Sequence, residues 1–307
     1  MVDDMVGVDH PLRVVDLDAA AADAIAELAA LPTVIVGVGA PEAPAAAFAD
    51  VVLAPDDPAL ARLDAKVREA PRAAIALALL LRGANGRSIG DGLVAESAVY
   101  SMLQAGPEFA AWRAAHPVHD RGDTAARVRV EREDGVLRVT LTRAAVHNAL
   151  DRQMRDELYA AFTVAASDPD LRVVLRGEGP SFCAGGDLDE FGSRPDPATA
   201  HVIRLQRSVG RLIATMADRV EAVLHGACVG SGIELPAFAG RVVARPDTRI
   251  GLPELELGLV PGAGGTVSVT RRIGRHRTAY LALSGDVIDA ATALDWGLVD
   301  AVTEETP

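Results

Sequence analysis

The chain has 307 residues with a formal net charge of −13, and this acidic balance argues against a general nucleic-acid-binding protein. The length indicates about two domains, and with half of the residues hydrophobic and 24% charged the composition is typical of a globular protein. The longest purely apolar run, 73–81, is too short to span a bilayer. The acidic N-terminus lacks the basic-then-apolar pattern of a signal peptide, so we expect neither a membrane segment nor a secretion signal.

The cysteine and histidine content argues against a disulfide scaffold and a metal site. Cys183 and Cys228 are too few for a disulfide framework, so a reduced, cytoplasmic setting is the simplest expectation. We interpret both as small buried residues, because no base lies beside either of them in the sequence. None of the seven histidines has a tight metal-ligand spacing with a cysteine or a carboxylate, so we expect no metal.

The first 116 residues predict an N-terminal segment with short strands, at 1–57, followed by a helical region at 58–116. In chain order the predicted elements are a loop, a helix at 19–31, strands at 33–39 and 51–53, and helices that start at 58, at 72 and after Gly90. Residues 117–125 (PVHDRGDTA) are polar and turn-rich, and we interpret them as a linker.

The pattern changes after residue 125 to strands that alternate with helices. Alternating strands flank Asp134-Gly135, which is a hairpin signal, and apolar residues four positions apart predict an amphipathic helix at 150–166. Further strands are predicted at 171–177, 220–226 and 241–244. This alternation predicts an α/β domain at 126–307 with mostly parallel strand pairing.

Two glutamates in this domain stand beside glycine-rich turns. Glu234 closes a turn that contains Gly226, Gly230 and Gly232, and Glu254 precedes a second such turn at 262–265. A turn that leads into a helix presents free backbone N–H groups, which can hold a developing oxyanion. Because a carboxylate beside it can move protons, the stretch 225–266 indicates an oxyanion site with two acid–base candidates.

Five motifs lie in the same order as those of a known family, between about 126 and 303. They are LTRAAVHNAL, SFCAGGDL, HGACVGSGIEL, LPELELGLVPGAGGT and RRIGRHRTAYLALSGDVIDAATALDWGLVDAV. Together they resemble the crotonase superfamily, the enoyl-CoA hydratase/isomerase family. The resemblance implies a crotonase-like spiral of ββα units and an enzyme that stabilises an enolate formed from an acyl-CoA thioester.

The resemblance also implies which residues form the oxyanion and substrate-binding loops. Two backbone N–H groups, one from each glycine-rich loop, would hold the enolate oxygen, and by motif position they belong to Ala184 and Ser231. Asp187 would order its loop. The oxyanion and substrate-binding positions carried over by motif are Ala184, Gly185, Asp187, Gly230 and Ser231.

Glu234 and Glu254 match the catalytic positions of the family. Members that keep both glutamates look like hydratases, in which the pair holds one water that adds to the β-carbon of a 2-enoyl-CoA. An enoyl-CoA hydratase is therefore the first expectation. An enoyl-CoA isomerase, another crotonase-type acyl-CoA reaction, and a catalytically weak acyl-CoA-binding partner subunit stay open as alternatives.

The sequence departs from the family pattern at four positions. Ala144 replaces a proline, His225 an asparagine, Ser231 a glycine and Gly240 an aspartate. Ser231 can supply its N–H only if the backbone there does not need a positive φ. Arg143 is a weak candidate for binding the CoA phosphates.

The helical region resembles the cap that follows the core in this family. Residues 45–116 include GLVAESAVYSMLQAGPEFAAW, whose Glu96, Leu103 and Phe109 match the final family helix. We therefore expect a cap permuted to the N-terminus, with an unrelated helical domain as the alternative. The resemblance further implies a homo-oligomer, a trimer or a dimer of trimers, and no cofactor beyond the CoA of the substrate.

Overall fold

The computed structural model describes residues 7–119, 125–193 and 196–304. Its strands form one six-stranded and two three-stranded sheets, with helices packed among them, so the predicted α/β class is confirmed. Most of the predicted linker, 120–124, lies outside the described residues. Within the described ranges, no helix has both the length and the apolar character needed to cross a bilayer.

The N-terminal part contains a parallel three-stranded sheet with one crossover helix. Its elements are strand β1 (Leu12–Asp16), helix α1 (Ala22–Ala29), strand β2 (Val34–Val38) and strand β3 (Val51–Leu53). The sequence predicted the helix and the last two strands but assigned β1 to a loop, which is wrong. The signal was weak because β1 is an edge strand in which Leu12 alone is buried.

Four helices follow, and the sequence predicted the first three of them. They are α2 (Ala59–Glu69), α3 (Pro71–Arg82), α4 (Ile89–Gln104) and α5 (Pro107–Ala115). The Ser88 side chain begins α4 by accepting a hydrogen bond from the Asp91 N–H at 3.1 Å. Pro71 and Pro107 occupy the first positions of α3 and α5, where the missing N–H costs nothing.

The six-stranded sheet forms the frame of the C-terminal part. In chain order its strands are β4 (Val128–Glu133), β5 (Val136–Leu141), β6 (Arg172–Gly177), β7 (Val220–Leu224), β9 (Arg241–Ala244) and β12 (Ala301–Val302). The order across the sheet is β12-β9-β7-β6-β5-β4, and every pairing is parallel except the β4–β5 hairpin. Both turn residues, Asp134 and Gly135, have positive φ, as the Asp-Gly signal predicts.

The second three-stranded sheet positions both predicted glutamates. Its strands are β8 (Ala227–Val229), β10 (Arg249–Gly251) and β11 (Ile288–Asp289), and β8 pairs with β10 in parallel. Parallel strands end at the same edge of a sheet, so the residues that follow β8 and β10 are neighbours. Glu234 and Glu254 are thereby brought together although they lie on different segments, one after β8 and the other after β10.

The remaining helices cover the sheets. They are α6 (Arg152–Ser167), α7 (Pro197–Gln206), α8 (Val209–Thr215), α9 (Ser231–Glu234), α10 (Gly265–Ser284) and α11 (Ala290–Trp296). The long helix α10 is broken at Gly274, whose φ of 78° a side chain would disfavour.

Helices α2, α3 and α4 pack against α10, so the helical region and the C-terminal part share one hydrophobic core. Leu63, Leu77 and Leu93 belong to the same buried cluster as Leu281 of α10. This packing is what a permuted cap requires. The permuted order itself stays a prediction.

A buried ion pair joins the N-terminal sheet to α3 and approaches α10. Asp50 is 1% exposed and accepts a hydrogen bond from the Ile35 N–H at 2.8 Å. Arg82 donates to both Asp50 oxygens, at 2.9 and 2.6 Å, and Arg275 of α10 lies 3.9 Å from the same carboxylate. The guanidinium of Arg82 also donates to the Thr33 carbonyl at 2.5 Å, so one side chain fixes three segments.

We predict that Arg82→Met lowers the free energy of unfolding by about 3 kcal/mol, because it leaves the Asp50 charge buried without its bidentate partner. Urea unfolding followed by circular dichroism measures the loss. Arg68→Met, which breaks the exposed pair with Asp64, is the control and should change little. Equal unfolding midpoints for Arg82→Met and wild type would contradict this role.

Candidate active site

The turn after β8 leaves the Ser231 N–H, at the start of α9, without an acceptor among the described residues. Gly230 has φ 52° and ψ −122°, a conformation essentially limited to glycine, and Ser231 then begins the helix. Ser231 itself does not have a positive φ, so the serine is accommodated without strain. Among the described residues, nothing accepts a hydrogen bond from the Ser231 N–H.

The facing turn, 183–187, corrects the prediction for Ala184. The Ala184 N–H donates to the His147 carbonyl at 2.9 Å, and Ala184 is exposed and does not line the cavity described below. Gly186, two residues later, does line that cavity, and its N–H donates to none of the described residues. Unlike Ala184, Gly186 therefore lines the cavity and has an N–H group without an acceptor among the described residues.

The two turns lie against each other through close backbone contacts. The Val229 N–H donates to the Cys183 carbonyl at 3.0 Å. A Cβ on Gly232 would lie 2.1 Å from the same carbonyl oxygen, so this approach requires glycine. Gly185 is buried with φ 100°, and a Cβ there would meet the Val229 carbonyl at 3.2 Å, so it supports the turn rather than lining the cavity.

Buried polar side chains hold the 183–187 turn in place. Arg143 donates to Asp187 at 2.5 Å, and both side chains are less than 8% exposed. Asn148 donates to three carbonyls, those of Glu178, Ser181 and Phe182, at 2.8 to 3.1 Å. Asp187 is therefore joined to Arg143 within this turn, and its predicted role in ordering the loop for the reaction stays a prediction. Arg143 is committed to this buried pair and does not line the cavity, which corrects its assignment to the CoA phosphates.

Glu254 reaches the first turn from the segment after β10. A Cβ on Gly230 would lie 2.6 Å from Glu254 Oε1, which is a second reason for glycine at that position. Glu254 Oε2 is buried and accepts no hydrogen bond from the described residues. Burial, together with the nearby charges of Glu234 and Glu96, raises the pKa of Glu254 well above its ordinary value.

Glu234 and a third carboxylate, Glu96, share the turn before α10. The N–H groups of Ala263 and Gly265 both donate to Glu234 Oε2 at 2.8 Å. The alternate N–H groups, of Gly264 and Thr266, donate to Glu96 at 2.7 and 2.9 Å. Four consecutive N–H groups are thus divided between two carboxylates, one from α9 and one from α4.

Burial raises the pKa of both carboxyl groups. It raises the pKa of Glu234 to about 7, although the N–H groups of Gly265 and Ala263 oppose the shift. It raises the pKa of Glu96 to about 8, and the Glu234 charge adds to the effect. At neutral pH the three neighbouring carboxyl groups together therefore bind more protons than three exposed glutamates would.

One cavity of about 510 Å³ contains all three carboxylates. Its wall combines the C-terminal part, through Gly186, Ser231, Glu234 and Glu254, with the helical region. The contributions of the helical region are Leu93, Glu96, Ser97, Tyr100, Gln104, Ala105 and Phe109. Across the described ranges, no group of three or more His, Cys, Asp or Glu side chains is arranged to hold a metal ion.

Glu96 was not predicted as a site residue. It lies 168 positions from Gly264, and in the sequence it looked only like part of an amphipathic helix that matches a family pattern. One local feature points to Glu96. It is a charged residue on the apolar, buried face of α4, where it is 1% exposed. A buried charge requires partners, and this signal could have marked Glu96 as a candidate.

We predict that Glu96→Gln flattens the pH dependence of stability. A carboxyl group whose pKa is higher in the folded than in the unfolded chain binds more protons when folded, so stability falls as pH rises between the two values. For Glu96 this fall spans about pH 4.5 to about 8, and glutamine removes it. Urea unfolding at pH 5 and pH 8 measures the difference.

The exposed Glu42 supplies the control, since Glu42→Gln should keep the wild-type difference between the two pH values. If Glu96→Gln and wild type lose the same stability from pH 5 to pH 8, the proton is not held at Glu96.

Sequence and structure comparisons agree on the family of this chain. The family model described as enoyl-CoA hydratase/isomerase matches residues 131–306. A 2,3-dehydroadipyl-CoA hydratase from Escherichia coli K12 is 38% identical over 174 residues, which cover 56% of this chain and 68% of that protein. A mevalonyl-coenzyme A hydratase from Beauveria bassiana is 34% identical over 185 residues, which cover 55% of this chain and 64% of that protein.

Solved structures give the same result. The crystal structure of an enoyl-CoA hydratase from Thermoplasma volcanium has a TM-score of 0.54 and 34% identity, covering 59% of this chain and 73% of that one. The matches span about two thirds of the curated relatives named above. With a family model over more than half of its length, the chain belongs to the enoyl-CoA hydratase/isomerase family of enzymes, the crotonase superfamily.

Proposed function

We propose that this protein is an enoyl-CoA hydratase that adds water across the double bond of a 2-enoyl-CoA thioester. The observation that carries the proposal is the shared cavity, which is lined by Glu234, Glu254, Gly186 and Ser231. The N–H groups of Gly186 and Ser231 have no acceptor among the described residues. Two carboxylates can handle one water and its protons, and two N–H groups can hold one oxyanion.

The environments of the two glutamates favour different roles. Glu234 accepts hydrogen bonds from two N–H groups, which stabilise its charged form. It therefore acts as the base that takes a proton from water. Glu254 has a buried oxygen without a donor and a strongly raised pKa, so it acts as the acid. The hydroxyl bonds to the β-carbon, Glu254 gives its proton to the α-carbon, and proton exchange restores the pair.

The Gly186 and Ser231 N–H groups would bind the thioester oxygen as negative charge develops on it. Here Gly186 replaces Ala184 as the donor on the first loop, since the Ala184 N–H is occupied by the His147 carbonyl. The partners that order both loops, among them the Arg143–Asp187 pair, would keep the donors fixed during the reaction.

Exposed cations at the same cavity suit the phosphates of CoA. Arg152 and Arg207 are exposed and line it, and no ion pair to a described carboxylate holds either guanidinium. Apolar side chains such as Leu93 and Phe109 would contact the acyl chain. The family resemblance alone supports a trimer or dimer of trimers and no cofactor beyond the CoA of the substrate. The low cysteine content alone supports a cytoplasmic location.

Hydration of crotonyl-CoA and of a longer 2-enoyl-CoA, followed by the absorbance of the conjugated thioester, tests the reaction. Glu234→Gln and Glu254→Gln should each lower kcat by about 10²- to 10⁴-fold, because each removes one step of proton transfer. Glu256→Gln, which changes an exposed carboxylate two residues from Glu254, is the control and should keep near wild-type turnover.

The same assay separates the alternatives. A wild-type protein that moves the double bond without adding water would be an isomerase. A protein that binds CoA esters but performs neither reaction would be an acyl-CoA-binding partner subunit, and the hydratase proposal would fail.

A pair of substitutions at Ser231 tests the oxyanion donor. Ser231→Pro removes the N–H at the first position of α9, where proline fits a helix and no helical hydrogen bond is lost. We expect kcat/KM to fall about 10²- to 10³-fold in this variant. Ser231→Ala keeps the N–H and should stay close to wild type, with thermal melting as the check on folding. Equal rates for the two variants would exclude the Ser231 N–H as a donor.

A further inference from the structure

Arg204 of α7 is a half-buried cation at the cavity wall, and no acidic group pairs with it. Its Nε donates to Ser97 Oγ at 3.0 Å, and Nη2 donates to the Ser97 carbonyl at 3.3 Å and to Ser101 Oγ. Its guanidinium carbon lies 4.6 Å from the centre of the Tyr100 ring. Within the described part of the chain, no carboxylate lies within ion-pair distance of it.

Besides Glu96, Glu234 and Glu254, four carboxylates line the same cavity, and each of them has partners other than Arg204. Asp151 and Asp187 contact Arg143, and Glu190 accepts the Arg152 N–H at 2.5 Å. Asp196 accepts a hydrogen bond from the Thr199 N–H at 2.7 Å and thereby caps the N-terminus of α7. None of these four carboxylates forms an ion pair with Arg204, and Glu96, whose charge favours the charged form of Arg204, does not lie within ion-pair distance of it either.

A second guanidinium increases the positive charge at this wall. Arg155 of α6 lines the cavity, although it also contacts Asp156 at 2.8 Å. Burial lowers the pKa of Arg204, Tyr100 and Glu96 oppose this shift, and the charge of Arg155 adds to it. A buried charge without a counter-ion is unfavourable. An anion bound here would offset the cost of desolvating Arg204 and reduce its repulsion with Arg155.

Tyr100 places this cation close to the catalytic carboxylates. A Cβ on Gly262 would lie 2.5 Å from the Tyr100 ring, and Gly262 directly precedes the residues that hold Glu234. The same ring also lies against the Arg204 guanidinium. Tyr100 is therefore adjacent both to Arg204 and to the turn that holds Glu234. A position so near Glu234 suits the acyl part of a thioester rather than the far end of CoA.

We propose that Arg204 binds an anionic group at the end of the acyl chain, so that the preferred substrates are CoA thioesters of dicarboxylic acids. The inference rests on the proposed acyl-CoA function and deepens it. Leu93, Phe109 and the face of Tyr100 contact the methylene groups, and Arg204 binds the terminal carboxylate.

Binding of saturated thioesters tests the inference without any reaction. Calorimetry compares adipyl-CoA with hexanoyl-CoA, and glutaryl-CoA with pentanoyl-CoA, so that each pair differs only in a terminal carboxylate. Wild type should bind the dicarboxylic member of at least one pair about ten- to a hundredfold more tightly, the range for a hydrogen bond to a charged group. Equal binding within both pairs would overturn the inference, and this comparison requires no variant.

Two variants assign the preference to one residue. Arg204→Met should abolish it and leave hexanoyl-CoA binding nearly unchanged. Arg207→Met, at the same cavity but exposed, can weaken all CoA esters but should keep the preference for the carboxylate. A preference that survives Arg204→Met would overturn the assignment.

Pantetheine thioesters of the same acids separate the two sources of negative charge, because pantetheine has no phosphate. The carboxylate preference should persist in them. If Arg204→Met instead weakens adipyl-CoA and hexanoyl-CoA equally and has no effect on either pantetheine thioester, Arg204 binds a CoA phosphate and the inference is wrong. An active hydratase without the preference refutes this inference alone, whereas an inactive protein with the preference refutes the hydratase proposal alone.

Discussion

The division of four consecutive N–H groups between two carboxylates is the constraint on which the site depends. Residues 263–266 present these groups at the start of α10, where a helix has no internal partners for them. Glu234 and Glu96 take alternate groups, so each carboxylate is fixed by two N–H donors and the turn is fixed from two sides. A shift of this turn would leave buried donors and buried carboxylates without partners at the same time, and both are costly.

The same arrangement gives three neighbouring carboxyl groups different affinities for protons. All three are removed from water, which raises the pKa of each. Glu234 and Glu96 recover part of the lost solvation from N–H groups, whereas the Oε2 atom of Glu254 has no donor among the described residues. Acid–base chemistry near neutral pH requires one group that holds its proton and one that releases it, and this difference in hydrogen bonding provides both.

The site draws on parts of the chain that the family model does not cover. The matched residues are 131–306, but Glu96 and Tyr100 come from α4 and complete the cavity. Helices α2 to α4 share a hydrophobic core with α10, and the Asp50–Arg82 pair ties the N-terminal sheet to α3. The helical region therefore forms part of the wall of the site. A permuted cap would pack against the C-terminal part in the same way.

The sequence by itself determined the features that depend on neighbouring residues. Local conformational preference and apolar spacing can be read from the sequence alone. They predict the Asp134-Gly135 turn, the glycine-rich turn around Glu234 and the first three helices of 58–116. Only the tertiary structure decided which N–H groups are free, because the His147 carbonyl occupies that of Ala184 and leaves that of Gly186. It also decided that Glu96, 168 positions from Gly264, belongs to the site. Hydrogen bonds and burial at such separations depend on how distant segments pack, and no local pattern encodes that packing.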